Sequence, residues 1–196
     1  MKQAIINGVV HTGEEIIENG VVVVENGTII SVQKEIPNDI KTIDLKGNHL
    51  AAGFIDIQIN GGEKYYFSQT PDEETIQDIY DASIKYGTTH VLPCLISSSK
   101  ETILEGIEAV RNYMKKHQNG VIGMHLEGPF LNPQRRGAHS IDQVRKPTDE
   151  ELQEIISKGK EVIKVITIAP ECFTEKQLNM LIESGITISI GHSTIT

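Results

Sequence analysis

The chain has 196 residues, 38% of them hydrophobic, which is enough to build one sizeable core. Its net charge of -9 argues against a nucleic-acid surface, which needs basic patches to replace phosphate counterions. No run approaches the ~20 apolar residues of a membrane span, and the start of the chain lacks a basic-then-apolar signal pattern. Two cysteines, Cys94 and Cys172, make no disulfide framework and read as buried thiols. A cytoplasmic protein without nucleic-acid or membrane partners is expected.

Residues 1–50 read as short strands with tight turns. Ala4-Ile5-Ile6 and Val9-Val10-His11 flank Asn7-Gly8, and Val21 to Glu25 and Thr28 to Val32 flank Asn26-Gly27. Asn-Gly between apolar runs is a strong hairpin signal, so two hairpins are expected. Ile43-Asp44-Leu45 runs into Lys46-Gly47-Asn48. This piece looks like part of a small β-sandwich domain.

After Leu50 strands and helices alternate. The strands are Phe54–Ile59, Thr89–Ile96, Val121–Leu126, Ile163–Ile168 and Ile186–Ile190. The helices are Asp72–Lys85, Lys100–His117, Thr148–Lys158 and Thr174–Ser184. Thr70 or Asp72 caps the first, Thr148 with Glu151 forms a capping box for the third, and Gly185 ends the fourth. Apolar Ile103, Leu104, Ile107, Val110 and Met114 recur at helical spacing. Repeated β/α units imply a parallel sheet, either open and doubly wound or part of a (β/α)8 barrel. The β-rich start and the polar strand ends favour the barrel. The expected fold class is α/β: a partial TIM-type barrel holding the first five strands, over residues 51–196, preceded by the N-terminal part of the β-domain at 1–50.

The polar strand ends carry the chemistry. Val121 to Met124 leads into His125 and Glu127 and stops at Gly128-Pro129; Ile186 to Ile190 leads into Gly191-His192-Ser193. A carboxylate and an imidazole at strand tips suggest a metal-assisted hydrolytic site, because a buried carboxylate is costly unless paired or metal-bound. Alternation puts Gln58 and Asn60 on one face of their strand. Amides are poor zinc ligands, so this pair favours one metal over two and fits a hydrogen bond to a bound water. His125 shares the face of Glu127 and suits either a donor orienting that carboxylate or a buried structural histidine. Arg135 and Arg136 read as a solvated charge pair, with attraction of an anionic substrate as the alternative.

Four motifs together resemble the amidohydrolase superfamily and, within it, the N-acetylglucosamine-6-phosphate deacetylase family. They are Ala51-Ala52-Gly53-Phe54-Ile55-Asp56-Ile57-Gln58-Ile59-Asn60-Gly61-Gly62, His125-Leu126-Glu127-Gly128-Pro129-Phe130-Leu131, Arg136-Gly137-Ala138-His139 and Gly191-His192-Ser193. The resemblance implies Glu127 and His192 as ligands of one divalent metal, zinc, and Ala138 and His139 as contacts to a sugar-phosphate substrate. It implies deacetylation of N-acetylglucosamine 6-phosphate by a longer chain, a dimer or tetramer, of which this is the N-terminal half. The family's third ligand, a histidine on the sixth strand, and its catalytic aspartate on the eighth fall beyond Thr196. These residues alone are therefore expected to be inactive, with an exposed Val- and Ile-rich sheet edge prone to self-association. Another N-acyl deacetylase of the superfamily and a non-catalytic relic or binding module are the competing readings.

Overall fold

The computed structural model describes residues 1–118 and 120–195, which divide into two compact units, Met1–Gly53 and Phe54 onward. The first is a mixed five-stranded sheet of β1 (Lys2–His11), β2 (Ile16–Glu25), β3 (Thr28–Gln33), β4 (Lys41–Asp44) and β5 (His49–Ala51). β1 pairs antiparallel with β2 and parallel with both β4 and β5. Ala4, Val21 and Val23 form its small core.

Only one of the two expected Asn-Gly hairpins forms. At Asn26-Gly27 both residues take positive φ, 51° and 82°, and the chain turns from β2 into β3. At Asn7-Gly8 the chain continues. Asn7 is left-handed at φ 57°, but the ladder with β2 resumes after a bulge. A bulge and a tight turn call on the same residue chemistry, and continuous pairing with β2 decides the outcome here. Gly8 has no room for a side chain: a Cβ there would lie 2.4 Å from Leu45 Cδ1 and 2.5 Å from the Asn48 carbonyl.

The second unit is a parallel five-stranded sheet with strands in chain order: β6 (Phe54–Ile59), β7 (Thr88–Ile96), β8 (Met124–Glu127), β9 (Ile163–Ile168) and β10 (Thr187–Ile190). Helices α1 (Glu73–Ile84), α2 (Lys100–Lys116), α3 (Asp149–Gly159) and α4 (Glu175–Ser184) make the crossovers. This is the expected α/β partial barrel. Buried Leu95, Ile103, Ile107, Leu126, Leu152, Ile166 and Leu181 belong to one core joining sheet and helices. Both edge strands expose apolar side chains, Phe54 and Ile55 on β6 and Ile190 on β10.

Helix ends follow capping chemistry. Asp72, Ser99, Thr148 and Thr174 each accept a backbone N–H of the first turn. The full capping box belongs to Thr174 and Gln177. Thr148 caps α3, but the Glu151 side chain is taken by Arg145, whose guanidinium lies 2.6 Å away, so the box expected there is half made. β8 also starts later than expected. Val121 lies outside β8 and makes an isolated bridge to Val91, and Gly123 at φ 143° interrupts the run before Met124.

Candidate metal and substrate site

β8 delivers Glu127 to its C-terminal tip, where the side chain is buried at 8% exposure. Its two oxygens have different neighbours. Oε2 accepts the Gln58 amide at 2.9 Å and the Cys94 thiol at 3.8 Å. Oε1 faces His192 Nε2 at 3.0 Å and His139 Nε2 at 3.8 Å. Burial first, and then the neighbouring carboxylate, pushes the Cys94 thiol up, so it stays protonated and donates. His139 lowers the Glu127 carboxyl most; desolvation opposes it, and His192 adds to the lowering when a proton sits on its Nε2, leaving the group at about 2.

The tautomers of the two rings follow from their outer nitrogens. His192 Nδ1 lies 2.9 Å from the Arg135 carbonyl, which can only accept, so Nδ1 carries the hydrogen. In the neutral ring Nε2 then turns a lone pair on Glu127 Oε1. Two acceptors at 3.0 Å repel unless a cation or proton lies between them. In a tetrahedral zinc site, ligand atoms ~2.0–2.2 Å from the metal stand about 3.4 Å apart, so this pair would hold a metal after parting by a few tenths of an ångström.

His139 differs. The Ser97 backbone N–H, which can only donate, points at its Nδ1 at 3.3 Å, with Ser97 Oγ at 2.7 Å. Nδ1 is therefore the acceptor and Nε2 carries the hydrogen, directed into the site. Glu127, His139 and His192 form the single group among the described residues with three ligand atoms close enough for one metal, all within 4.8 Å of one another. Within it, Glu127 and His192 supply lone pairs and His139 supplies a donor.

The loops after β8 and β10 hold this geometry. Asn132 caps a short 3-10 turn, Pro133–Arg135, and its N–H donates to the His192 carbonyl at 3.1 Å. His192 sits at φ 52°, a left-handed conformation that costs a residue with a Cβ roughly 1–2 kcal/mol. Gly128, at φ 82°, is required by crowding: a Cβ there would lie 2.4 Å from Ser97 Oγ, the hydroxyl that holds His139.

The remaining expected residues fall in different places. Ala138 is exposed on the loop beside His139. The Arg136 guanidinium donates to the carbonyls of Gly137 and His139, so this side chain shapes the loop and is not the solvated charge expected for it. Gln58 binds Glu127 directly. Asn60 has a buried amide oxygen without a hydrogen-bond partner among the described residues.

His125 does not orient Glu127. Its Nδ1 donates to the Ile57 carbonyl at 2.9 Å and its Nε2 accepts from Thr167 Oγ1 at 2.8 Å. Burial lowers its pKa, which keeps the ring neutral for both bonds. Both nitrogens are committed to other strands, β6 and β9, and Gln58 takes the orienting task. The Gln58–Glu127 and His125–Ile57 bonds each run from β6 to β8 past β7, which requires the sheet to curl.

Two features escaped the sequence reading: the Cys94 contact to Glu127, and Glu171, just after β9, whose carboxylate gathers Asn132, Ser193 and Thr194. The strand-end rule that singled out Glu127 extends to Glu171, three residues past β9; Cys94, inside β7, carries no such signal.

A curled parallel sheet with a carboxylate and an imidazole at its strand ends, and a second imidazole on the adjoining loop, fits the resemblance to the amidohydrolase superfamily. Residues 3–50 match the family model of the NagA composite domain. The chain is 36% identical over 198 residues to the N-acetylglucosamine-6-phosphate deacetylase of Haemophilus influenzae, covering 100% of this chain and 52% of that one. It is 37% identical over 149 residues to the N-acetylgalactosamine-6-phosphate deacetylase of a Shewanella species, covering 76% and 38%. The crystal structure of the N-acetylglucosamine-6-phosphate deacetylase from Pasteurella multocida superposes with a TM-score of 0.93 at 31% identity, over 100% of this chain and 52% of that one. The chain is similar to N-acetylglucosamine-6-phosphate deacetylases along its whole length, and it spans about half the length of the curated relatives it matches.

Proposed function

We propose that this chain is part of a metal-dependent hydrolase that removes the acetyl group of N-acetylglucosamine 6-phosphate, giving glucosamine 6-phosphate and acetate. The observation that carries the metal reading is the pair of lone pairs, Glu127 Oε1 and His192 Nε2, facing each other at 3.0 Å. Glu127 and His192 hold one divalent ion, zinc, which supplies Lewis acidity when bound. His139 donates its Nε2–H to the acetamide carbonyl oxygen, where charge grows during attack. Gln58 and Cys94 keep Glu127 Oε2 engaged, so the carboxylate presents Oε1. Ala138 offers backbone beside the substrate. Proton transfer to the leaving amine falls to an aspartate outside these residues.

On this reading residues 1–50 are the N-terminal part of a small β-domain and 51–196 the first half of the barrel. The working form is a dimer or tetramer in the cytoplasm, a reducing compartment that suits the unpaired Cys94 and Cys172. The 4-epimer, N-acetylgalactosamine 6-phosphate, is the second reading, because a relative named for that substrate is 37% identical.

The test is acetate release by the intact chain from both sugar phosphates, with metal content measured on the same preparation. Zinc at one per chain with turnover of the gluco substrate supports the proposal. Faster turnover of the galacto epimer moves it to the second reading. A metal-free protein that turns over either substrate at full rate overturns the metal assignment.

A further inference from the structure

Glu171 lies in the short 3-10 turn Pro170–Cys172 that follows β9, and the chemistry above does not use it. Its carboxylate accepts four hydrogen bonds from two other strand ends. Asn132 Nδ2, after β8, reaches Oε1 at 2.9 Å. The Thr194 N–H and hydroxyl, after β10, reach Oε1 at 2.7 and 3.1 Å, and Ser193 Oγ reaches Oε2 at 2.6 Å. His192, between these grips, is tied to the same loop through Asn132 N–H on its carbonyl and the Arg135 carbonyl on its Nδ1. His192 has a left-handed backbone at φ 52°, a conformation less favourable for a residue with a Cβ, and the neighbouring contacts help to hold it there.

We propose that Glu171 is a positioning residue: by clamping the strand ends after β8 and β10 together, it holds the His192 ring with Nδ1–H on Arg135 and Nε2 aimed at Glu127. It touches neither metal nor substrate. A carboxylate suits the task, since its two oxygens take donors from both sides at once and neutral acceptors offer fewer lone pairs. The inference rests on the metal reading above only for its effect on metal affinity and turnover.

The test compares the intact chain with its Glu171→Ala and Glu171→Gln variants. In the metal-free protein, the His192 Nδ1–H is followed by NMR as a protected imidazole proton. In parallel, zinc affinity is measured by competition with a chromophoric chelator, and melting temperature is recorded. In Glu171→Ala the protected proton is lost to exchange, zinc binds about 10–100-fold more weakly and kcat falls with it. Glu171→Gln, which keeps one acceptor oxygen, falls between. If the proton stays protected and zinc affinity is unchanged, the proposal is overturned, whatever happens to the melting temperature. Should Glu171→Ala fail to fold, Ser193→Ala removes one grip and reads the same proton and affinity. A wild-type chain that binds no zinc removes the metal reading, and the His192 proton still decides the role of Glu171.

Discussion

His192 Nε2 stands 3.0 Å from Oε1 of Glu127, a residue 65 positions earlier in the chain. The opposite nitrogen of His192 is committed to the Arg135 carbonyl, so the contact joins two acceptors and calls for a positive charge between them. Replacing Glu127 with Gln leaves the shape and removes the charge. Zinc affinity of the intact chain is expected to fall at least about a hundredfold and turnover to the limit of detection. Chelator competition and an acetate assay check this.

His139 and His192 are expected to fail differently. His192→Ala removes a metal lone pair and lowers zinc affinity and kcat together. His139→Ala removes a donor and lowers kcat by about 100–1,000-fold, with zinc affinity changed little. Equal loss of zinc by both variants would make His139 a ligand and refute its assignment as donor.

Gly128→Ala introduces a Cβ 2.4 Å from Ser97 Oγ at a backbone φ of 82°. The change is expected to cost about 2–4 kcal/mol in urea unfolding, from crowding and left-handed strain together. Since Ser97 holds His139, kcat is expected to fall more than the fraction of folded protein explains.

Thr174 caps α4 in a reciprocal box with Gln177, and α4 leads into β10, which carries His192. Thr174→Ala is expected to cost about 1 kcal/mol. Urea unfolding of the two proteins measures it, and zinc affinity of the folded variant stays at the wild-type level.

The acid side of stability has a defined sign. The Glu127 carboxyl drops from 4.5 to about 2 in the fold, so its contribution is complete above pH 4.5 and is lost as pH falls toward 2. In the metal-free protein, the stability difference between wild type and Glu127→Gln is expected to shrink across that window and to be flat above it. Thermal melts between pH 2 and 6 read it.

The five parallel strands and four helices were legible because each carries its own signal: apolar runs for the strands, caps and a left-handed Gly185 for the helices. Asn7-Gly8 misled because a bulge and a hairpin draw on the same residues and only pairing with β2 separates them. Glu127 and His192 were legible from position, a polar residue where a buried strand ends. The direction of His125 was not. Sharing a face with Glu127 fixes its side of the sheet, but Ile57 on β6 and Thr167 on β9 take its ring nitrogens. Likewise Arg136 reads as a surface charge until the loop folds back and gives its guanidinium two carbonyls.

The two bonds that cross β7, Gln58 to Glu127 and His125 to the Ile57 carbonyl, tie β6 to β8. They act as chords across an arc, and removing either lets the arc open. Gln58 and Glu127, which meet at the candidate site, therefore also help to set the radius of the sheet that carries them. A change at Gln58 or His125 would alter the spacing of strand ends on both sides of it, so the shape of the barrel and the tuning of its chemistry cannot be varied independently at these positions.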